Sequence, residues 1–266
     1  MSLTFLLSVI VGYKTVSCTG GKWYMIAADF QTVGNSSEQK TIKISEFIKG
    51  DYYGDPDDIE DNCPIIQIWD SANNIYATWH FYANSDGKAS TAKHNFWGLD
   101  NAKSSYDDYM AATINLGQAV WFKFKENCTI TVAGQVVEVS TSTVDVNPGE
   151  WNMIANPWPI ALKINTGIDW AAQVAAGNMV GDPDDIEDKC PIIQVWDSEN
   201  DVYATYHFYA NSDGKASTAK HNFWGLDNAK SSYDDYMAAT VPVGCGFWFK
   251  YGMQPTDKPM TLTFTK

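Results

Sequence analysis

HFYANSDGKASTAKHNFWGLDNAKSSYDDYMAAT occupies residues 80–113, and the same letters return at 207–240. The match extends outward on both sides. Residues 54–124 and 181–251 align without a gap and differ at 13 of 71 positions. Most changes are mild, such as Ile68/Val195, Ile75/Val202, Trp79/Tyr206 and Phe124/Tyr251. A unit this long exceeds the roughly 20–50 residues of solenoid repeats, so it reads as a duplicated domain. The expected division is an apolar leader or donor-like strand at 1–12, one β-domain at 13–140 and a second at 141–266.

Working outward, the pattern is that of short strands between turns. CPIIQIWD (63–70) is a compact apolar run behind a proline, and 71–74 is turn chemistry. IYATWHFY (75–82) alternates, with Ala77, Trp79 and Phe81 on one face and Tyr76, Thr78, His80 and Tyr82 on the other. VWFKF (120–124), GYKTVSC (12–18), WYMIA (23–27) and its counterpart WNMIA (151–155) add further strands. Residues 129–132 and 135–140 read as a closing hairpin. Ile168, Ala171, Ala172 and Ala175 recur at helical spacing, which predicts a short helix over 168–176. Residues 88–109 are polar and irregular apart from Phe96-Trp97, the kind of long segment that is functional or packed by its own side chains. The fold class is therefore all-β: two tandem homologous β-sandwich or barrel-like domains with short helical insertions.

Composition narrows the function. The chain of 266 residues carries 32 acidic and 18 basic residues, a net charge of −14. Every basic residue is lysine. That balance repels nucleic acid and anionic membranes. Without arginine there is no guanidinium fork for phosphate. Residues 3–11 (LTFLLSVIV) are too short to span a bilayer. They read as a signal remnant, a first strand of their own domain, or a strand donated to a neighbouring chain. No nucleic-acid partner and no membrane insertion are expected. Five cysteines, of which only Cys63 and Cys190 are repeat equivalents, are either buried thiols or an oxidised set with one left over. Sequence leaves the pairing open.

The pattern IVGYKTV…GGKWYMIA…FIKGDYYGD…IIQIWD…GQAVWFKF…TITVAGQVV resembles a poorly characterised repeat of exported proteins in Verrucomicrobia-like and related bacteria. It covers nearly all of each copy, and 88–109 lies outside it. The resemblance implies export and a β fold. It carries no catalytic residues.

Four constellations are candidate sites. Asp55, Asp57, Asp58, Glu60 and Asp61, repeated as Asp182, Asp184, Asp185, Glu187 and Asp188, offer the hard oxygen ligands of Ca²⁺ or form a solvated acidic turn. Trp97, Tyr106 and Tyr109, with Trp224, Tyr233 and Tyr236, could stack on sugar rings. Most of the other tryptophans, Trp23, Trp69, Trp79, Trp121 and their counterparts, alternate within strands and read as core. His80, His94, His207 and His221 lack the spacing of a zinc site and read as structural or surface residues. No nucleophile elbow occurs, and adjacent carboxylates such as Asp107-Asp108 do not define a glycosidase cleft. The expected protein is thus not an enzyme. It is an exported structural protein, extracellular or at the cell surface. It assembles head-to-tail with copies of itself into a filament or surface layer, because two copies joined by a short linker should meet through unlike faces. The alternative is a secreted tandem carbohydrate-binding module that recognises a cell-surface glycan.

Overall fold

A computed structural model describes residues 10–36, 39–52, 63–82, 96–100, 106–179, 190–209, 222–226, 237–252 and 259–266. The fold is all-β. In the first half, a five-stranded antiparallel sheet has the order β2 (Trp23–Ala27), β9 (Ala119–Lys123), β5 (Ile65–Asp70), β6 (Ile75–Tyr82), β7 (Phe96–Leu99). A second sheet, β1 (Val11–Cys18), β10 (Cys128–Gln135), β4 (Ile48–Gly50), shares its core. β3 (Thr41–Lys43) pairs with β8 (Thr113–Asn115).

The second half repeats this plan. Its five-stranded sheet runs β12 (Asn152–Ala155), β18 (Gly246–Lys250), β14 (Ile192–Asp197), β15 (Val202–Tyr209), β16 (Phe223–Leu226). β11 (Thr141–Val146) pairs with β19 (Met260–Thr265), and β13 (Leu162–Lys163) with β17 (Thr240–Val241). Among the described residues three short helices interrupt the strands: α1 (Ile44–Phe47), α2 (Tyr106–Ala111) and α3 (Trp170–Ala175). α3 forms where helical spacing predicts it. Asp169 caps it by accepting the Ala172 N–H at 3.0 Å.

Three expectations are corrected. The region 129–140 is not a hairpin. β10 runs unbroken from Cys128 to Gln135 and pairs with β1 on one side and β4 on the other. Both partners are far away in sequence, so local turn chemistry could not reveal them. The stretch 88–109 holds more structure than its polarity suggests, because Phe96–Leu99 completes the sheet as β7 and 106–111 forms α2. β1 begins at Val11, so residues 11–12 belong to a strand and not to a leader.

Each half has its own core. Phe30, Phe47, Ile66, Trp97, Phe122 and Val132 fill the first. Trp158, Trp170, Ile193, Trp224, Phe249 and Leu262 fill the second. Full burial of one such side chain contributes about 1.5–3 kcal/mol.

A third apolar cluster joins the halves. It gathers Met25, Ala27, Ala119 and Trp121 from one half with Met153, Ala155 and Trp248 from the other, and Trp23, Trp69, Trp151 and Trp196 pack around them. The alternating tryptophans expected in the domain cores therefore sit in this seam, Trp79 excepted.

Contacts across the seam come in exchanged pairs. Trp69 Nε1–H donates to the Trp151 carbonyl, and its counterpart Trp196 Nε1–H donates to the Trp23 carbonyl. Trp69 meets Trp248 edge-on at 5.6 Å, and Trp196 meets Trp121 at 5.7 Å. The Ala27 N–H bonds the Gly244 carbonyl at 2.8 Å, and the Ala155 N–H bonds the Gly117 carbonyl at 2.7 Å. Swapping the halves leaves this pattern unchanged, so the junction is a pseudo-twofold contact of like faces. The unlike-face junction inferred from the short linker is replaced by this one. Each five-stranded sheet carries the same tryptophan-rich outer face, and that face is self-complementary.

Candidate functional site

The seam buries the tryptophan-rich faces of both five-stranded sheets, and strand edges and the clefts beside them lie outside it. β1 is an edge strand. Gln135 exchanges both backbone bonds with Gln31 (3.0 and 2.9 Å) and has none left for Val11 opposite it, whereas Val136 N–H donates to the Ile10 carbonyl at 2.9 Å. Antiparallel ladders alternate bonded and non-bonded pairs. Gly12, Lys14, Val16 and Cys18 therefore bond β10, and Val11, Tyr13, Thr15 and Ser17 aim their N–H and C=O groups away from it. Among the described residues these outward groups have no backbone partner. Their side chains are exposed as well, Tyr13 at 75% and Val11 at 60%, with Ile10 and Val33 nearby.

The same register logic applies to β11. The Thr263 carbonyl accepts from Asp169 N–H at 2.9 Å and Thr265 N–H donates to the Gly167 carbonyl at 3.0 Å, while Lys266 N–H donates to Ser140. Thr141, Thr143 and Asp145, opposite Thr265, Thr263 and Thr261, consequently face away from β19. Among the described residues β1 and β11 thus present equivalent unpaired edges, one apolar and one polar.

Each edge borders the other half. Lys14 on β1 points inward, 2.6 Å from Asp29 Oδ1 and 3.0 Å from the Ala27 carbonyl. The Asp29 side chain is wholly buried, and its Oδ2 has no hydrogen-bond partner among the described residues. Burial pushes the Asp29 carboxyl up, against the pull of Lys14. Burial likewise pushes the Lys14 ammonium down, against the pull of Asp29. The repeat counterparts are Ser142 and Pro157, so the ion pair belongs to the first half alone.

Beside β11 lies a polar cleft of about 310 Å³. Lys40, Ser71, Asn115, Gln118, Asp145 and Asn152 line it together with Trp69. Asn115 and Gln118 stand where the second half has Pro242 and Cys245, so the cleft collects positions at which the copies diverge.

The residues singled out by sequence fare differently. Trp97 and Trp224 are buried, at 2% and 0% exposure, and offer no ring face to a sugar. Phe81 and Tyr52 pack against Trp97, and Phe208 and Trp170 against Trp224. Their strands β7 and β16 turn the indoles inward, an orientation that a four-residue run does not reveal. Tyr109 is half-buried on α2, stacks on Phe96 and meets Trp79 edge-on. Tyr106 begins α2. Tyr233 and Tyr236 lie outside the described residues, as do Asp55, Asp57, Asp58, Glu60, Asp61, Asp182, Asp184, Asp185, Glu187 and Asp188. Among the described residues no group of three or more His, Cys, Asp or Glu side chains could hold a metal ion. His80 and His207 are buried, and His80 Nδ1 lies 3.2 Å from the Cys63 thiol. No helix among the described residues is long and apolar enough to cross a membrane.

Sequence reading missed Tyr13, Thr15, Thr143, Lys14 and Asp29. The alternation of 12–18 marked a strand, but only tertiary pairing identifies an edge. No protein-family model, curated protein or solved structure matches the chain.

Proposed function

We propose that this is an exported, non-catalytic structural protein that assembles with itself by strand addition at the two free edges. The observation that carries the reading is the pair of outward-facing ladders on β1 and β11. An unpaired edge is a template for another strand. These two edges allow β1 of one copy to meet β11 of the next, and a contact between unlike edges propagates. The like-face seam cannot serve this purpose, because it is closed within each chain. The only charge on β1, Lys14, is turned inward onto Asp29 and does not guard the edge. In this reading the protein acts outside the cell or on its surface, and the two acidic loops hold Ca²⁺. Calorimetric titration with calcium chloride that releases no heat removes the ion from the proposal.

The test uses proline at outward positions, where no ladder bond within the chain is lost. Wild-type protein is expected to form filaments or rings at high concentration, seen by electron microscopy and sedimentation. Thr15→Pro and Thr143→Pro should each be monomeric alone, and a mixture should stop at dimers. Wild-type protein that stays monomeric at every concentration, with or without Ca²⁺, refutes the reading.

The polar cleft favours a second reading, binding of a cell-surface saccharide. Amide, hydroxyl and carboxylate groups beside Trp69 are the donor and acceptor set that a sugar needs. A glycan array that gives a signal lost in Gln118→Ala supports it, and a blank array removes it.

A further inference from the structure

We propose that Cys18 and Cys128 form a disulfide that ties β1 to β10 in the first half of the chain. The two residues are register partners, directly opposite each other across the antiparallel ladder. The alternation derived above makes them a hydrogen-bonded pair, with Cα atoms roughly 5.5 Å apart. That spacing lies inside the range a disulfide spans, about 4.4–6.8 Å. Their side chains share the buried face of the first core, where the Cys18 thiol donates to the Val16 carbonyl at 3.8 Å.

The second half supplies a comparison. The same two places are held there by Val146 and Met260, which are also register partners. An apolar pair suffices for packing at these positions, so packing alone does not require two thiols. Cysteine occurs at both places in one half and at neither in the other. The remaining thiols are elsewhere: Cys63 touches His80, its counterpart Cys190 occupies the same place in the second half, and Cys245 lies at the seam.

The chemistry balances with an external low-molecular-weight disulfide as oxidant. One protein thiolate attacks it and expels one small thiol. The second protein thiol then attacks the mixed disulfide, forms the Cys18–Cys128 bond and expels the other small thiol. Two electrons pass from the protein to the oxidant, and both protons end on the released thiols. A surface depression lined by Ser17, Asp51, Asn127 and Thr129 also reaches both cysteines and gives the oxidant its approach. Burial pushes the Cys18 thiol up to about 12, so attack from the folded dithiol is slow and is faster while β1 is detached. The bridge fixes an edge strand, but its existence does not depend on self-assembly.

The test is peptide mapping of the full chain. Protein refolded with oxidised and reduced glutathione is alkylated under denaturing conditions, digested and analysed without reduction. The expected result is one dominant linked peptide pair containing Cys18 and Cys128, lighter by two hydrogen atoms than the reduced pair, with Cys63, Cys190 and Cys245 alkylated. Cys18→Val with Cys128→Met, the pair the second half already uses, should fold, and its unfolding midpoint should no longer change on adding reductant. Alkylation of Cys18 and Cys128, or dominant linkage of either to another cysteine, overturns the proposal. Both outcomes are read by mass and are separate from the filament assay.

Discussion

Ala119 and Gly246 are repeat equivalents, and they face each other at the centre of the seam. A Cβ placed on Gly246 would lie 2.2 Å from the Ala119 Cβ and 3.1 Å from the Ile154 carbonyl oxygen. Both methyl groups are fixed to strand backbone, so neither can swing aside as a long side chain would. At a near-twofold axis one residue meets its own counterpart, and two alanines do not fit there. Gly246 has no positive φ, so its backbone does not require glycine. On backbone grounds alone Gly246→Ala should stabilise by about 0.4–1 kcal/mol. Overpacking a filled contact costs about 1–3 kcal/mol, and a clash between two anchored methyls belongs at the upper end. The net expectation is a loss of roughly 2 kcal/mol, hence a fall in Tm of about 4–8 °C for a chain of this size. Scanning calorimetry with chemical denaturation measures both quantities. The exchange variant Ala119→Gly/Gly246→Ala moves the single methyl to the other side of the axis, and should recover stability to within about 1.5 kcal/mol of wild type. A single variant as stable as wild type, or an exchange variant no better than the single one, refutes the pseudo-twofold account of the seam.

Two other features give quantitative expectations. Asp29→Ala leaves a buried ammonium without its partner and should cost about 3–5 kcal/mol by denaturant titration at neutral pH, whereas Lys14→Met with Asp29→Leu should approach wild-type stability. The pH dependence separates the single variants. In Lys14→Met the buried carboxyl has lost the pull that opposed burial, so the folded state holds its proton more tightly than the unfolded chain, whose Asp titrates near about 3.9. Its stabilising share is present below that value and is lost as pH rises, so the deficit against wild type should shrink from pH 7 to about 5. In Asp29→Ala the ammonium is pushed down instead, the folded state releases its proton more readily, and the deficit should shrink as pH rises toward the unfolded lysine value of about 10.4. Trp69→Phe and Trp196→Phe each remove one indole N–H bond across the seam, and each should cost about 0.5–1.5 kcal/mol, near-equally because the bonds are symmetry counterparts.

The letters of the chain suffice to show a β protein with a long internal repeat. Alternation in 12–18 and 75–82 follows from the two-residue period of a strand, and 65–70 and 119–123 are short apolar runs of strand length; both are local properties that letters record directly. The capped helix at 170–175 was legible for the same reason. The structure alone decided what those strands face. Trp69 and Trp97 sit in similar aromatic stretches, yet one lines a seam between the halves and the other a core, because sheet order and not sequence spacing assigns each face its neighbour. The candidate sugar residues failed at Trp97 and Trp224 on this point. Lys14 and Asp29 looked like ordinary polar residues until β1 and the segment after β2 were brought together. The free edges of β1 and β11 are defined by which groups a ladder leaves unpaired, and ladders form between residues more than a hundred positions apart. Periodicity is local and survives in the chain as written. Partnership is non-local, fixed by the packing of whole sheets, and it decided which faces this protein buries against itself and which ladder groups are left without a partner among the described residues.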